Sequence, residues 1–202
     1  MKLSIIIPVY NQEELIIKCL DSIPIRKDIE IIVIDDASTD KTNENIKNYM
    51  NKETKAIMLI ENKTNKGVGV SRNEGIDESK GQYIMFLDSD DYIYTDRFDK
   101  VFNELTGEDI VYYGLENNNG HILMPKPSNK KQLCGTVKII RRDFIKDTRY
   151  PDMRFAEDYF FNSDLLKRLP KVKYTNIVLV HYNSPREGSL FDIGKRSGNN
   201  AI

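Results

Sequence analysis

The sequence holds only two histidines, His121 and His181, and two cysteines, Cys19 and Cys134. So few imidazoles exclude a multi-histidine metal site within one chain. The cysteines lie far apart and form no C-x-x-C arrangement, so buried, reduced and inert thiols are expected. No apolar stretch approaches the roughly 20 residues of a membrane span. The N-terminus enters a strand-like run at once, without a signal peptide's charged and apolar regions. A cytoplasmic chain is therefore expected, with a peripheral place at the membrane as the other option. A formal net charge of −1 with no long run of Lys and Arg gives no long-range attraction to nucleic acid. Internal repeats, low-complexity blocks and heptads are missing too. The first strand leads into Pro8-Val9-Tyr10-Asn11 and not into a G-x-G-x-x-G turn, which removes the pyrophosphate cradle of a dinucleotide-dependent oxidoreductase.

What is present is a chain of 202 residues with 40% hydrophobic content, enough for one domain with a real core. It is organised around Tyr83-Ile84-Met85-Phe86-Leu87-Asp88-Ser89-Asp90-Asp91. An apolar run reading as a buried strand of a parallel sheet passes straight into three carboxylates. Ligands of open α/β sheets bind at the carboxyl ends of the strands, so this rim is the first place to look for chemistry. Asp88 and Asp90, two apart, can aim oxygens at one hard cation carried by a phosphorylated substrate. The plain alternative is a solvated turn that caps the next helix.

Leu3 to Val9 reads as a strand that should stop pairing at Pro8. Asn11 and Glu14 have capping-box spacing before a helix over Gln12 to Ser22. Ile29 to Ile34 is a second strand and ends in Asp35-Asp36. Ser38 or Thr39 is the expected N-cap of a helix carrying Ile46, Tyr49 and Met50. Ala56 to Ile60 makes a third strand, and Asn65-Lys66-Gly67-Val68-Gly69 turns into a helix through Ser79 that carries Arg72. Four strands and three helices in strict alternation predict a parallel sheet with right-handed crossovers. Thr95 is placed to cap a helix bearing Phe98, Val101, Phe102 and Leu105. Asp109 to Leu115 and His121 to Met124 then predict a hairpin around Asn119-Gly120. From there the expectation is antiparallel strands added to one edge, with a loop from Pro125 to Lys131. A helix over Glu157 to Arg168 should bury Phe161, Leu165 and Leu169. Its first-turn acids Glu157 and Asp158 suit the helix dipole whether or not they do chemistry. Late strands are expected at Val172 to Tyr174 and Ile177 to Tyr182.

Four of these stretches together resemble the ordered motifs of family 2 glycosyltransferases. They are Ile5 to Asn11, Val33 to Thr42, Asn65-Lys66-Gly67 with Ser71 to Gly75, and Phe86 to Asp91. Ala156-Glu157-Asp158 is similar to the family's acidic pair, and Tyr182 with Glu187-Gly188-Ser189-Leu190 is similar to its C-terminal segment. The resemblance implies a GT-A, Rossmann-like α/β fold: a mostly parallel central sheet flanked by helices, with antiparallel strands in the second half. It further implies one domain over 1–183, with a nucleotide-binding half at 1–95, an acceptor-side half at 96–183 and a flexible tail at 184–202. Pro8, Tyr10, Asn11 and Asn65 would line the nucleotide pocket, and Asp36 or Asp35 would accept a hydrogen bond from uracil. Arg72 would face the base or the diphosphate, and Asp88 would touch the ribose or support the site. Asp90 would hold Mn²⁺ or Mg²⁺, and His181 would either complete the coordination or be structural or solvent-exposed. Asp158 would be the general base, and Glu157 the next choice. Asn183 stands where the family often has Arg, so late phosphate contacts fall to Arg186, Lys195 or Arg196.

The implied activity is inverting transfer of a hexosyl unit from a UDP-sugar to a saccharide, polymer or other hydroxyl-bearing acceptor. A homodimer or a separate protein would complete acceptor recognition. The rival readings are a nucleotide-sugar-binding module without catalysis and a metal-dependent nucleotidyltransferase.

Overall fold

The structure is a computed structural model and describes residues 1–127, 137–153 and 156–184. Strands β1 (Leu3–Val9), β2 (Ile29–Asp35), β3 (Ile57–Glu61) and β4 (Tyr83–Phe86) alternate with helices α1 (Ile16–Ser22), α2 (Thr42–Lys52) and α3 (Val68–Glu78). These four strands are parallel, in the spatial order β3-β2-β1-β4. Both faces of the sheet are covered. Leu3, Ile5, Ile7 and Val9 pack with α1, α2 and α4 (Thr95–Phe102) on one side. Ile6, Ile32, Ile34, Ile84 and Phe86 pack with Ile76 of α3 and with Phe161 and Leu165 of α6 (Glu157–Lys167) on the other. A strand buried on both faces has no solvent side to mark with polar residues, so β1 and β2 are largely apolar, with Ser4 and Glu30 hydrogen-bonded to each other as the buried polar exceptions. Helix α3 lies so close to β1 that a Cβ at Gly75 would come within 2.3 Å of Ile6 Cγ2. Only glycine lets the two elements approach this far.

Pro8 acts on one side of its strand only. Pairing of β1 with β4 ends at Ile6 and Phe86, whereas pairing with β2 runs through Pro8 to Val9 and Asp35. Ile6 O accepts from Leu87 N, and Val9 O from Asp36 N. Residue 8 shares the orientation of residue 6, so its missing N–H falls on the side where the ladder has already stopped.

The second half adds strands to the β4 edge, antiparallel at β8 as expected but including a parallel pair. The sheet continues β4-β8-β6-β9-β5, with β5 at Tyr92–Ile93, β6 at Ile110–Asn117, β8 at Lys138–Arg141 and β9 at Val172–Tyr182. Strand β8, which sequence periodicity did not reveal, is antiparallel to both β4 and β6. At four residues it is too short to show alternation, and short helix α5 (Arg142–Ile145) follows at once. Strand β9 is one element, not two, and it runs parallel to β6 through register shifts near Tyr112 and Gly114. The expected hairpin forms between β6 and β7 (Ile122–Leu123), with Gly120 at φ 74°. Leu169 is corrected from core to solvent: it follows the end of α6 with φ 52° and is exposed.

The caps differ as well. Asn11 does not cap α1, which starts at Ile16 without a side-chain cap. Asn11 Oδ1 accepts from Thr39 N at 2.8 Å, and Asn11 N donates to Ser38 Oγ at 3.0 Å. Glu13 and Asp40 exchange similar bonds with the backbone of the opposite loop. Helix α2 begins at Thr42, whose N–H donates to Asp40 Oδ1, in place of a Ser38 or Thr39 cap. Thr95 likewise donates its hydroxyl to Ser22 O and caps nothing. At Asn11, Ser38, Thr39 and Thr95 a tertiary partner replaces the local cap, whereas the Thr42 N–H is held locally by Asp40.

Candidate active site

The carboxyl ends of β1, β2 and β4 and the start of α6 form one rim. At the tip of β2, Asp35 and Asp36 are both buried. Asp35 accepts from Ser38 N through Oδ1 and from Asn43 Nδ2 through Oδ2. Asp36 accepts from Lys66 N and Asn62 Nδ2 through Oδ1, and from Gly67 N through Oδ2 at 2.8 Å. The pair therefore braces the loops after β2 and β3. Pro8 is buried at the end of β1, Tyr10 is exposed just beyond it, and Asn65 is exposed in the loop that Asp36 holds.

Arg72 on α3 joins the other two acidic sites. Its guanidinium is buried, with Nη2 donating to Asp88 Oδ1 at 3.0 Å. Nη1 donates to Asp158 Oδ1 at 2.9 Å and to Glu157 Oε1 at 3.1 Å. The tip of β4 and the first turn of α6, far apart in sequence, thus meet on one cation. Tyr150 lies beneath, its ring centroid 5.2 Å from the guanidinium carbon and its face stacked on Phe161 at 3.9 Å. Gly69 admits this packing, since a Cβ there would stand 3.2 Å from Pro151 O and 3.4 Å from Glu157 Cγ. One cation faces three carboxylates, and the imbalance shows in ionisation. Burial opposes the charge on Arg72, but Asp158, Asp88 and Glu157 together outweigh it and raise its pKa. Burial first, and Asp158 second, push Glu157 up against the pull of Arg72. Nε of Arg72 is buried with no hydrogen-bond partner.

Asp91 is buried, and its Oδ1 accepts from Asn183 N at 2.9 Å, tying the rim to the exit of β9. Burial raises the Tyr182 hydroxyl, and Asp88 raises it further. Cys19 is a free buried thiol near Asp88 O, pushed up by burial and then by Asp91, Asp90 and Asp88. Cys134, Arg186, Lys195 and Arg196 lie outside the described residues, as does the expected tail from 185 onward.

His181 has other partners than the ion expected from the sequence. Its Nε2 lies 2.8 Å from Asn118 Oδ1, its Nδ1 lies 3.2 Å from the Tyr94 hydroxyl, and its ring stacks on Tyr92 at 4.4 Å. With both nitrogens engaged, coordination there would require breaking one of these contacts. Among the described residues no cluster of three or more His, Cys, Asp or Glu side chains has metal-holding geometry. The donor chemistry still fits a hard divalent ion. Such ions take one or two carboxylates and complete their shell with substrate phosphates and water, and Asp88 and Asp90 supply carboxylates at a half-exposed rim.

Sequence reasoning overlooked Asn62 and Tyr150, and it gave Glu74, which lies within the Ser71 to Gly75 stretch, no role. Asn62 bridges Asp36 to Glu74, which also pairs with Lys66. Neither Asn62 nor Tyr150 has a spacing to a motif residue that periodicity or composition would expose.

The sequence model described as "Glycosyl transferase family 2" matches residues 4–161. An "Uncharacterized glycosyltransferase" of Haemophilus influenzae is 35% identical over 185 residues, covering 83% of this chain and 72% of that protein. The "Poly(ribitol-phosphate) beta-glucosyltransferase" of Bacillus spizizenii is 30% identical over 216 residues, covering 96% of this chain. This chain spans only 34% of that relative's length. The crystal structure of S. aureus TarS 1-349 in complex with UDP superposes with a TM-score of 0.77 at 25% identity, covering 91% of this chain and 60% of that one. With its mixed α/β sheet and the motif-bearing strand tips, the chain has the GT-A fold and belongs to glycosyltransferase family 2.

Proposed function

We propose that the chain transfers a hexosyl unit from a UDP-sugar to an acceptor hydroxyl with inversion at the anomeric carbon. The observation that carries this reading is the convergence of Asp88 and Asp158 on Arg72, which puts a donor-side carboxylate and a candidate base on one rigid unit. Two kinds of relative support the donor class: a glucosyltransferase by name, and a crystal structure in complex with UDP. In the proposed reaction Asp158 takes the proton of the acceptor hydroxyl as its oxygen attacks the anomeric carbon. The bond from that carbon to the phosphate oxygen breaks, and its electron pair leaves with UDP. Arg72 holds Asp158 in position through its bond at 2.9 Å. Glu157, which burial favours in the neutral form, is less available as the carboxylate from which a base must start and is the second choice as base. Asp90, with Asp88 beside it, would hold Mn²⁺ or Mg²⁺. When bound, that ion would neutralise charge developing on the departing diphosphate.

On this reading 1–95 is the donor half and 96–183 the acceptor side, with Pro8, Tyr10, Asn11 and Asn65 against the nucleoside. Asp36 has one oxygen carrying a single protein bond, which leaves it room to accept from a uracil N–H. A cytoplasmic site of action, at or near a membrane surface, belongs to the same proposal. The test is Asp158→Asn, assayed for UDP affinity by calorimetry and for UDP release with acceptor. Affinity should stay within about 2-fold while kcat falls about 10²–10⁴-fold, the contribution of a positioned base. Near-wild-type turnover would move the base to Glu157. Release of pyrophosphate in place of UDP would replace the reading with nucleotidyl transfer.

A further inference from the structure

Tyr150 is buried in the irregular segment between α5 and α6, where no ladder or helix pairs its backbone. The side chain of Asn73 does so instead. Its Nδ2 donates to Tyr150 O at 2.8 Å, and its Oδ1 accepts from Tyr150 N at 2.8 Å. Buried backbone groups need partners, and a carboxamide offers a donor and an acceptor side by side. Asn73 follows Arg72 on α3, so the residue that carries the cation is adjacent to the one that holds the ring beneath it. The segment meets α3 at a second point, since a Cβ at Gly69 would stand 3.3 Å from Tyr150 Cβ.

The same ring reaches the other sides of the site. It is stacked on Phe161 of α6 with an interplanar angle of 7°, and both rings meet Phe86, two residues before Asp88, edge on. Helix α6 has no side-chain cap at its start, where Ala156 has φ 65°, so tertiary contacts must hold its first turn. Arg72, through Glu157 and Asp158, and Tyr150, through Phe161, are two of them. We infer that Asn73 and Tyr150 are positioning residues for the transfer: the clamp fixes the ring, and the ring fixes the guanidinium of Arg72 against the first turn of α6. The bond from Arg72 to Asp158 at 2.9 Å then places the carboxylate that takes the acceptor's proton. The inference rests on the proposed role of Asp158. Misplacing a reacting group by about 1 Å can cost about 10²-fold in rate, so a support two contacts away matters to turnover.

The test uses the full chain with Mn²⁺ and UDP-glucose or UDP-N-acetylglucosamine. The probe reaction is UDP release with water as the acceptor, followed under single turnover, because a water proton needs the same base as a sugar hydroxyl. Calorimetry gives UDP affinity. Tyr150→Leu keeps the clamp but removes the ring from beneath Arg72, and Asn73→Ala removes the clamp. Each should lower kcat about 10-fold or more, with UDP affinity and the donor KM within about 2-fold of wild type. Tyr150→Phe restores the ring and should bring kcat back to within about 3-fold. A double-mutant cycle separates positioning from packing. In an Asp158→Asn background, Asn73→Ala and Tyr150→Leu should each lower kcat by less than about 2-fold further, because the group they place is already gone. Losses that multiply in full would make both residues packing alone, and the proposal falls. It also falls if the variants turn over normally, or if UDP affinity drops together with kcat, which would put the pair on the donor side. Should Asn73→Ala fail to fold, Tyr150→Leu and its cycle decide. Turnover unchanged by Asp158→Asn would overturn the base, and no UDP release from the wild-type chain would overturn the donor reading; either takes the positioning role with it.

Discussion

The tips of β2 and β4 look alike in sequence, each an apolar strand running into adjacent aspartates, yet they are put to different uses. At β2 the carboxylates of Asp35 and Asp36 are spent on backbone and amide N–H groups within the protein. That tip holds loops in place. At β4, Asp88 meets a buried guanidinium that also serves Glu157 and Asp158, and this group carries more negative than positive charge. The difference lies in the kind of partner. Neutral N–H donors satisfy a carboxylate and close the matter, whereas one shared cation leaves demand that a ligand or metal can meet.

The harshest way to break this comparison is Arg72→Met. It would leave three carboxylates with no cation, and loss of one partner of a buried ion pair costs about 3–5 kcal/mol. Urea denaturation at neutral pH should show a loss of that size, and mild acid should recover part of it by protonating the orphaned carboxylates. A loss under about 1 kcal/mol would place the cluster in the class of solvated surface pairs. Asp36→Asn should cost less, about 1–3 kcal/mol, because an amide cannot accept from both Lys66 N and Gly67 N with the same two atoms. Hydrogen exchange at those two amides should accelerate. If UDP affinity fell while exchange stayed unchanged, Asp36 would act on the nucleotide and not on the loop.

The gentlest probe is Glu157→Gln. Because the folded state raises the pKa of Glu157, its contribution to stability is full below the ordinary carboxylate pKa of 4.5 and is lost as pH rises through the folded value. Gln stays neutral throughout, so the variant should be more stable than the parent near neutral pH, with the gain vanishing in acid. A variant less stable at neutral pH would mean that the ionic bond to Arg72 outweighs the burial of Glu157. The contrast between the two tips would then narrow.

The parallel βαβ half was legible because its signals are local. Apolar runs of strand length, breakers and acidic tips all lie within a few residues of one another. Asp88, Glu157 and Asp158 were legible as motif residues for the same reason. Their meeting was not, because nothing in the sequence says that residue 72 will stand between positions 88 and 158. His181 shows the converse. Its type suits a metal ligand, but contacts with Tyr94, Asn118 and Tyr92 decide what its nitrogens do.

By itself, then, the sequence determined the alternating frame, the burial of both sheet faces and the acidic residues at the strand ends, since each follows from periodicity or from adjacency along the chain. Tertiary structure alone decided that β8 inserts between β4 and β6, that β9 runs parallel to β6, and that loops after β1 and β2 brace each other through Asn11, Glu13 and Asp40. It also decided which acids close on backbone N–H groups and which share a cation. The physical reason is that a carboxylate's role is set by the donors within about 3 Å of it, and in this fold those donors come from residues dozens of positions away.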